Sequence, residues 1–163
     1  MNPAPDSSSP EFLFDDRAVT VAELEELLDA MNACTMRFPA AAVFHRSLRT
    51  PEKEAASLDH TLSCTLRQDG ALVGFLRIIT DHAYFYYLCD VMIRPDLQGQ
   101  GLGTRLVEAS VHECRRRGYM KIFLTALPGL EPFYQKFGFR ATLSPVLTLR
   151  GEDEEKYPPL PPP

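Results

Sequence analysis

The sequence predicts a layered α/β (α+β) domain, and three patterns carry that prediction. Two strand-like runs meet at Asp69-Gly70, a dipeptide suited to the positive φ angles of a tight hairpin. An apolar run is followed by a glycine-rich loop, an amphipathic helix and a further apolar run, which is the order of a β–α–β unit. Two helix-start signals, at Thr20 and Thr50, precede both.

Taken in order, Glu11–Asp15 reads as a short first strand. Thr20 and Glu23 form a T-x-x-E capping box, in which each side chain satisfies the other residue's orphan amide. Leu24, Leu27, Leu28 and Met31 follow at helical spacing. Phe38–Phe44 is an apolar stretch to which the pattern assigns no element. Thr50-Pro51 starts a second helix, with a hydroxyl cap and a proline at the first helical position. Thr61–Arg67 and Ala71–Thr80 are the hairpin strands. Ala83–Arg94 reads as a central strand buried on both faces, and Pro95, which has no N–H, ends its ladder. Gly101–Arg117 is a helix whose inward stripe is Gly103, Leu106, Val107, Ser110, Val111 and Cys114. Arg115, Arg116 and Arg117 suit the negative end of its dipole, and Gly118 closes it. Met120–Thr125 is a strand, Glu131–Phe137 a short helix stopped by Gly138, and Arg140–Arg150 a final strand or hairpin.

With 163 residues, 45% hydrophobic and 24% charged, the chain has the size and composition of one globular domain. Residues 1–10 and 151–163 read as unstructured tails around a domain at 11–150. The proline-rich end, PPLPPP, is either a solvated tail or a docking segment for an SH3-like or WW-like domain. A net charge of −5 argues against nucleic acid as the main partner, yet it leaves room for a local basic pocket. Cys34, Cys64, Cys89 and Cys114 form no C-x-x-C pair, so reduced and mostly buried thiols are expected. His112 and Cys114 lie two apart on a helix, which turns them away from each other, and no metal is expected. No apolar run approaches the roughly 20 residues that span a bilayer, and MNPAPDSSSP lacks the parts of a secretory leader. These features predict a soluble, cytoplasmic protein with no membrane partner.

The stretch Asp90–Thr104 carries the chemistry. It runs from a strand through a glycine-rich loop into a helix amino terminus, where converging amides and the helix dipole attract an anion. Glycines at 99, 101 and 103 remove side chains that would block its approach. No G-K-[ST] closes the loop, which excludes a Walker A site. The strict alternation of the glycines leaves the third one position short of a dinucleotide fingerprint.

The spacing does match Q/R-x-x-G-x-G/A, filled by Gln98, Gly101 and Gly103, and so resembles the pyrophosphate loop of the GNAT acetyltransferases. Downstream, Pro132-Phe133-Tyr134-Gln135-Lys136-Phe137-Gly138-Phe139 is similar to that family's second signature, P-F-Y-x-[KR]-x-G-F. The resemblance covers roughly residues 61–140 and implies a mixed, mostly antiparallel central sheet flanked by helices. In such a fold a splayed parallel strand pair holds coenzyme A, and acetyl-CoA serves as co-substrate.

The same resemblance implies that the backbone of Val91, Met92 and Ile93 meets the acetyl and pantetheine carbonyls. Gln98, Gly99, Gln100, Gly101, Leu102, Gly103 and Thr104 would hold the diphosphate. Tyr134 is either the acid that protonates the leaving thiolate or a packing tyrosine. Asp90 is either a residue that binds or deprotonates the amine, as its position suggests in serotonin-type members, or a structural hydrogen-bond acceptor. Tyr86 and Tyr87 stand where several members carry a glutamate, so a histone-type base is not implied; both are candidates to line an acceptor pocket or to pack in the core. The expected activity is acetyl transfer to the primary amine of a small molecule, with a homodimer admitted. A protein lysine or amino-terminal acceptor, or a non-catalytic acyl-CoA-binding regulatory domain, are the alternatives.

Overall fold

A computed structural model describes residues 9–34 and 49–142. The stretch Phe38–Phe44, nearly all of the expected last strand at Arg140–Arg150, and most of both expected tails lie outside the described residues.

Five strands form one sheet in the order β1-β2-β3-β4-β5: β1 (Glu11–Leu13), β2 (Leu62–Gln68), β3 (Ala71–Thr80), β4 (Phe85–Ile93) and β5 (Lys121–Leu124). All neighbours are antiparallel except β4 and β5, which run parallel. The helices are α1 (Val21–Ala33), α2 (Pro51–His60), α3 (Leu102–Arg117) and α4 (Glu131–Gln135). This is the mixed, mostly antiparallel layered fold that the sequence predicts.

The local signals act where they stand. Thr20 caps α1 with the full reciprocal box, and Thr50 caps α2 with Pro51 at its first position. Asp69 and Gly70 take φ of 51° and 82°, the left-handed pair that a two-residue hairpin needs. Gly118 closes α3 at φ 82°. Asp81 Oδ1 accepts from the Ala83, Tyr84 and Phe85 amides, which turns the chain from β3 into β4.

The sheet has a core on each face. Under α3, Leu106, Val107, Val111 and Cys114 pack on Leu62, Cys64, Leu66, Leu76, Ile78, Tyr86, Leu88 and Ile93. Under α1, Leu24, Leu27 and Leu28 pack on Leu72, Phe75 and Met92. In the ladder between β3 and β4, Arg77 faces Cys89 but Phe75 faces Met92, so β4 carries one residue more than β3. That surplus is a β-bulge, and Asp90 takes φ 51° within it. The bulge reverses which residues face α3. Tyr86 and Leu88 do so before it, Val91 and Ile93 after it.

One expectation needs correction. The β4 run is not buried on both faces along its length, because Tyr84 and Phe85 are exposed at 57% and 42%. β5 pairs with this end of β4 at Phe85–Lys121, yet Phe123 beside it is also exposed, at 38%, so the outer face of the sheet is open there. All four cysteines are free; Cys64 and Cys114 are buried, Cys89 is half-buried and Cys34 is exposed.

Gly74 shows how tightly β3 and the end of β4 are matched. A Cβ at this position would come within 2.8 Å of Ile93 Cδ1 and 3.2 Å of Leu66 Cβ. Gly74→Ala should therefore cost about 1–3 kcal/mol through overpacking. The expected result is a lower urea midpoint at unchanged slope, measured by circular dichroism.

Candidate active site

β4 and β5 pair from Phe85–Lys121 to Leu88–Leu124, and there β5 ends. β4 continues to Ile93 with β3 on one side. Its other edge, from Cys89 onward, has no strand partner among the described residues. Released backbone of this kind carries unsatisfied donors and acceptors, the ordinary template for an extended ligand.

The chain leaves β4 at Arg94, whose amide still donates to the Val73 carbonyl at 2.9 Å. Pro95–Leu97 form a 3-10 turn. The Gln98 amide group folds back and donates to the Ile93 carbonyl at 3.0 Å, which fixes the start of the loop to the end of the strand. Gly99 and Gly101 then take φ of 80° and 81°, where a side chain would be strained. Gly101 caps α3 without any side-chain hydrogen bond, and the first turn contains no acidic residue. The Leu102, Gly103 and Thr104 amides therefore open α3 with no intrahelical acceptor and no carboxylate to occupy them.

A Cβ built on Gly99 or Gly101 would meet no heavy atom within 4 Å, so open space lies beside these amides. At Gly103 a Cβ would meet Ile93 Cγ1 and Phe133 Cζ, each at 3.7 Å, which is ordinary contact. The protein's own packing does not require glycine at 103. The residues present fit a bound diphosphate: several amides at one helix end, no competing side-chain cap, and room for close approach.

Phe133 brings α4 against this loop. Tyr134 follows it, 9% exposed, within the core that also holds Val91, Leu97 and Leu102. Its ring stands edge-on to Phe133 at 5.0 Å and to Phe139 at 6.3 Å. Burial pushes its phenol above the ordinary value of 10.0. The hydroxyl has no hydrogen bond to any described residue.

The other anticipated residues separate. Tyr86 is only 3% exposed and packs under α3, so it offers no surface to an acceptor. Tyr87 lies on the opposite face, its ring 5.0 Å from Phe123 and its hydroxyl 3.3 Å from Thr125 Oγ1. Met92 points into the core under α1 and its backbone faces Phe75 of β3, so neither is offered to a cofactor, contrary to expectation; Val91 and Ile93 present the outward backbone. Gln100 is exposed in the loop, and the half-buried Val91 joins Ile93 on the α3 side.

Asp90 has partners that local sequence does not reveal. Its Oδ2 accepts from Arg77 Nε at 2.8 Å and its Oδ1 from Arg49 Nη2 at 2.6 Å. The same two arginines grip Glu54, through Arg77 Nη2 at 2.8 Å and Arg49 Nη1 at 3.1 Å. Sequence reasoning missed Arg49, Glu54 and Arg77. The available signal was Arg77 itself, a charge inside the otherwise apolar strand ALVGFLRIIT. Burial, with the Asp90 carboxylate next to it, raises the neighbouring Cys89 thiol to about 12.

Comparison with known proteins agrees with this geometry. A family model described as an acetyltransferase (GNAT) domain matches residues 26–151. The chain is 40% identical over 75 residues to the GCN5-related N-acetyltransferase 2, chloroplastic, of Arabidopsis thaliana, a stretch covering 46% of this chain and 29% of that one. It is 31% identical over 96 residues to the serotonin N-acetyltransferase 2, chloroplastic, of Oryza sativa, covering 56% of this chain and 48% of the relative. The match thus spans less than half the length of either relative. A GNAT-family acetyltransferase structure from Streptococcus pneumoniae superimposes with a TM-score of 0.66 at 16% identity, over 87% of this chain and 98% of that one, which is a likeness of fold. With a family match over most of its length, laid on a sheet that opens beside an uncapped, glycine-lined helix, this chain belongs to the GNAT acetyltransferase family.

Proposed function

We propose that the chain transfers the acetyl group of acetyl-CoA to the primary amine of a small molecule, by direct attack within a ternary complex. The observation that carries this reading is the opening of β4 from β5 beyond Leu88 and Leu124, next to the uncapped amino terminus of α3. Acetyl-CoA supplies the acyl group in activated form, as a thioester. The amides from Gly99 to Thr104, with Gln98 and Gln100 at the loop, are the groups to hold its diphosphate. The backbone of Val91 and Ile93, which alternates away from β3, is the edge for the carbonyls of its arm.

Tyr134 is proposed as the group that returns a proton to the departing thiolate. A phenol held above its ordinary pKa by burial keeps that proton throughout the neutral range. The absence of a competing hydrogen bond to described residues leaves its hydroxyl free for this task. Direct attack, rather than an acyl-enzyme on cysteine, is supported by Cys89. A thiol raised to about 12 is almost wholly protonated at neutral pH and is a poor nucleophile. Both Asp90 oxygens already accept from guanidinium groups, which favours the structural role over deprotonation of the amine. Water is then the proposed acceptor of the amine's proton.

For the acceptor we propose an arylalkylamine. Tyr87 and Phe123 stack on the face away from α3, with Phe85 exposed two residues along the same strand, and such a surface suits an aromatic ring. The rice relative's name points to the same class. Purified chain incubated with acetyl-CoA should release free thiol fastest with arylalkylamines, in a panel that also holds polyamines and a lysine peptide. Turnover confined to the peptide would replace this reading with a protein acceptor. Binding of acetyl-CoA with no turnover on any amine would leave a regulatory binding domain.

Three substitutions test the cofactor side. Tyr134→Phe should lower kcat at least about tenfold, the lower end for loss of a general acid, with acetyl-CoA affinity unchanged. In the parent protein, any alkaline fall in kcat caused by Tyr134 should lie above pH 10.0, since its pKa is raised. Gly103→Ala should fold as well as the parent or gain up to about 1 kcal/mol, because alanine favours a helix over glycine. Because the matched pattern admits alanine at this position, its acetyl-CoA binding should stay within about twofold, whereas Gly101→Val should weaken binding about tenfold or more by calorimetry, equivalent to about 1.4 kcal/mol. Undiminished binding in Gly101→Val would count against the diphosphate assignment.

A further inference from the structure

We infer that Arg77 and Arg49 are positioning residues: together they grip Asp90 and hold the surplus residue of β4 in place, which keeps Val91 and Ile93 turned toward the cofactor. The inference rests on the acetyl-CoA reading above and adds to it a device that sets the geometry of the released strand.

The four side chains close a ring. Arg77 bridges Asp90 and Glu54, each at 2.8 Å, and Arg49 bridges the same two at 2.6 and 3.1 Å. Each carboxylate oxygen therefore receives one guanidinium N–H, and the ring carries no net charge. Arg77 Nη1 also donates to the Ser57 hydroxyl. Three members are deep, with side-chain exposures of 4% for Arg77, 7% for Glu54 and 11% for Asp90, and Arg49 closes the ring at 26%.

Burying charges in this way is a poor route to stability, because an apolar set of similar volume does as well or better. A guanidinium fork can instead impose one geometry, since it accepts carboxylates only along fixed directions. Two features call for such a constraint. Asp90 sits at φ 51°, a conformation unfavourable for a residue with a Cβ. A bulge is also free in principle to slide along its strand, and a slip of one residue exchanges the faces of every side chain it passes. Sliding past Val91 would carry that side chain away from the α3 core it shares with Tyr134.

The ring also supplies a reference outside the sheet. Glu54 is the buried residue of α2, so that helix docks on β3 and β4 through a charge. Asp90 is thereby located by two elements at once, β3 through Arg77 and the start of α2 through Arg49 and Glu54. The titratable neighbour on this face is Cys89, which stays a thiol.

The test compares the full chain with Arg77→Lys, Arg77→Met and Asp90→Gly. Glycine accepts the positive φ but cannot be gripped. Arg77→Met and Asp90→Gly should speed hydrogen exchange at the Met92 and Arg94 amides, which face β3, about tenfold while leaving Leu106–Cys114 unchanged. KM for acetyl-CoA should rise about tenfold, KM for the amine should stay within about twofold, and the pH profile of kcat should keep its shape. Arg77→Lys, which retains the charge without the fork, should fall between. Parent-like behaviour of Asp90→Gly would overturn the inference, as would exchange that accelerates equally across α3. Loss of the acidic limb of the pH profile in Asp90→Gly would make Asp90 a base and also overturn it. Should Arg77→Met not fold, Arg77→Lys and Asp90→Gly decide the matter alone. A parent chain that fails to bind acetyl-CoA would sink the earlier reading, while the exchange comparison still decides for or against the clamp.

Discussion

The site depends on one surplus residue in β4. Up to Cys89 the strand matches β3 residue for residue, and its even-numbered side chains, Tyr86 and Leu88, fill the core under α3. Past Asp90 the odd-numbered ones, Val91 and Ile93, take over that face, and Met92 joins the core under α1. Without the insertion Ile93 would not lie over Gly74, where the missing Cβ makes room for it. The loop that follows is tied to the Ile93 carbonyl through Gln98, so its position also follows from the bulge.

The helices reach the sheet by different physics. α3 docks through an apolar stripe, which is strong but tolerant of small shifts, since burial has no preferred direction. α1 adds direction to its apolar face. Glu23 caps the helix and also takes Arg67 Nη1 at 2.7 Å, while Arg67 Nε holds Asp16 at the same distance. Burial alone would raise the Asp16 carboxyl, but hydrogen bonds from Arg67 and Thr65 outweigh it and leave the group below its ordinary value. α2 relies on charge most of all, with Glu54 its buried residue. Directional contacts are thus concentrated on the face opposite α3. The face that packs α3 and α4 around the opening is held by shape.

What the sequence disclosed follows from the range of each interaction. Thr20 with Glu23, Thr50 with Lys53, and Asp69 with Gly70 all act within a few residues, so their pattern is visible in the chain itself. The glycine loop was legible for the same reason, as was the stripe of α3. The environment of Asp90 was not, because Arg77 and Arg49 lie 13 and 41 residues away. Tyr86 and Tyr87 are adjacent and chemically alike; only the register on β3 and β5 sends one into the core and leaves the other beside Phe123. An apolar run can likewise suggest a strand buried throughout, but it cannot say that the outer face around Phe85 and Phe123 is left open.

A folded protein ordinarily satisfies its polar backbone groups internally, and exceptions gathered in one place ask for an explanation. Among the described residues three groups without a protein partner lie around one opening: the edge of β4 beyond Leu88, the first amides of α3, and the hydroxyl of Tyr134. Each has a separate structural cause, namely the early end of β5, a glycine cap and the apolar neighbours of Tyr134, Phe133 and Phe139 among them. Independent causes have no reason to converge unless something outside the chain completes all three sets. An extended ligand with carbonyls along its arm and a diphosphate at its end has the matching groups in the matching order. Membership of the acetyltransferase family makes a coenzyme thioester the natural ligand of that description.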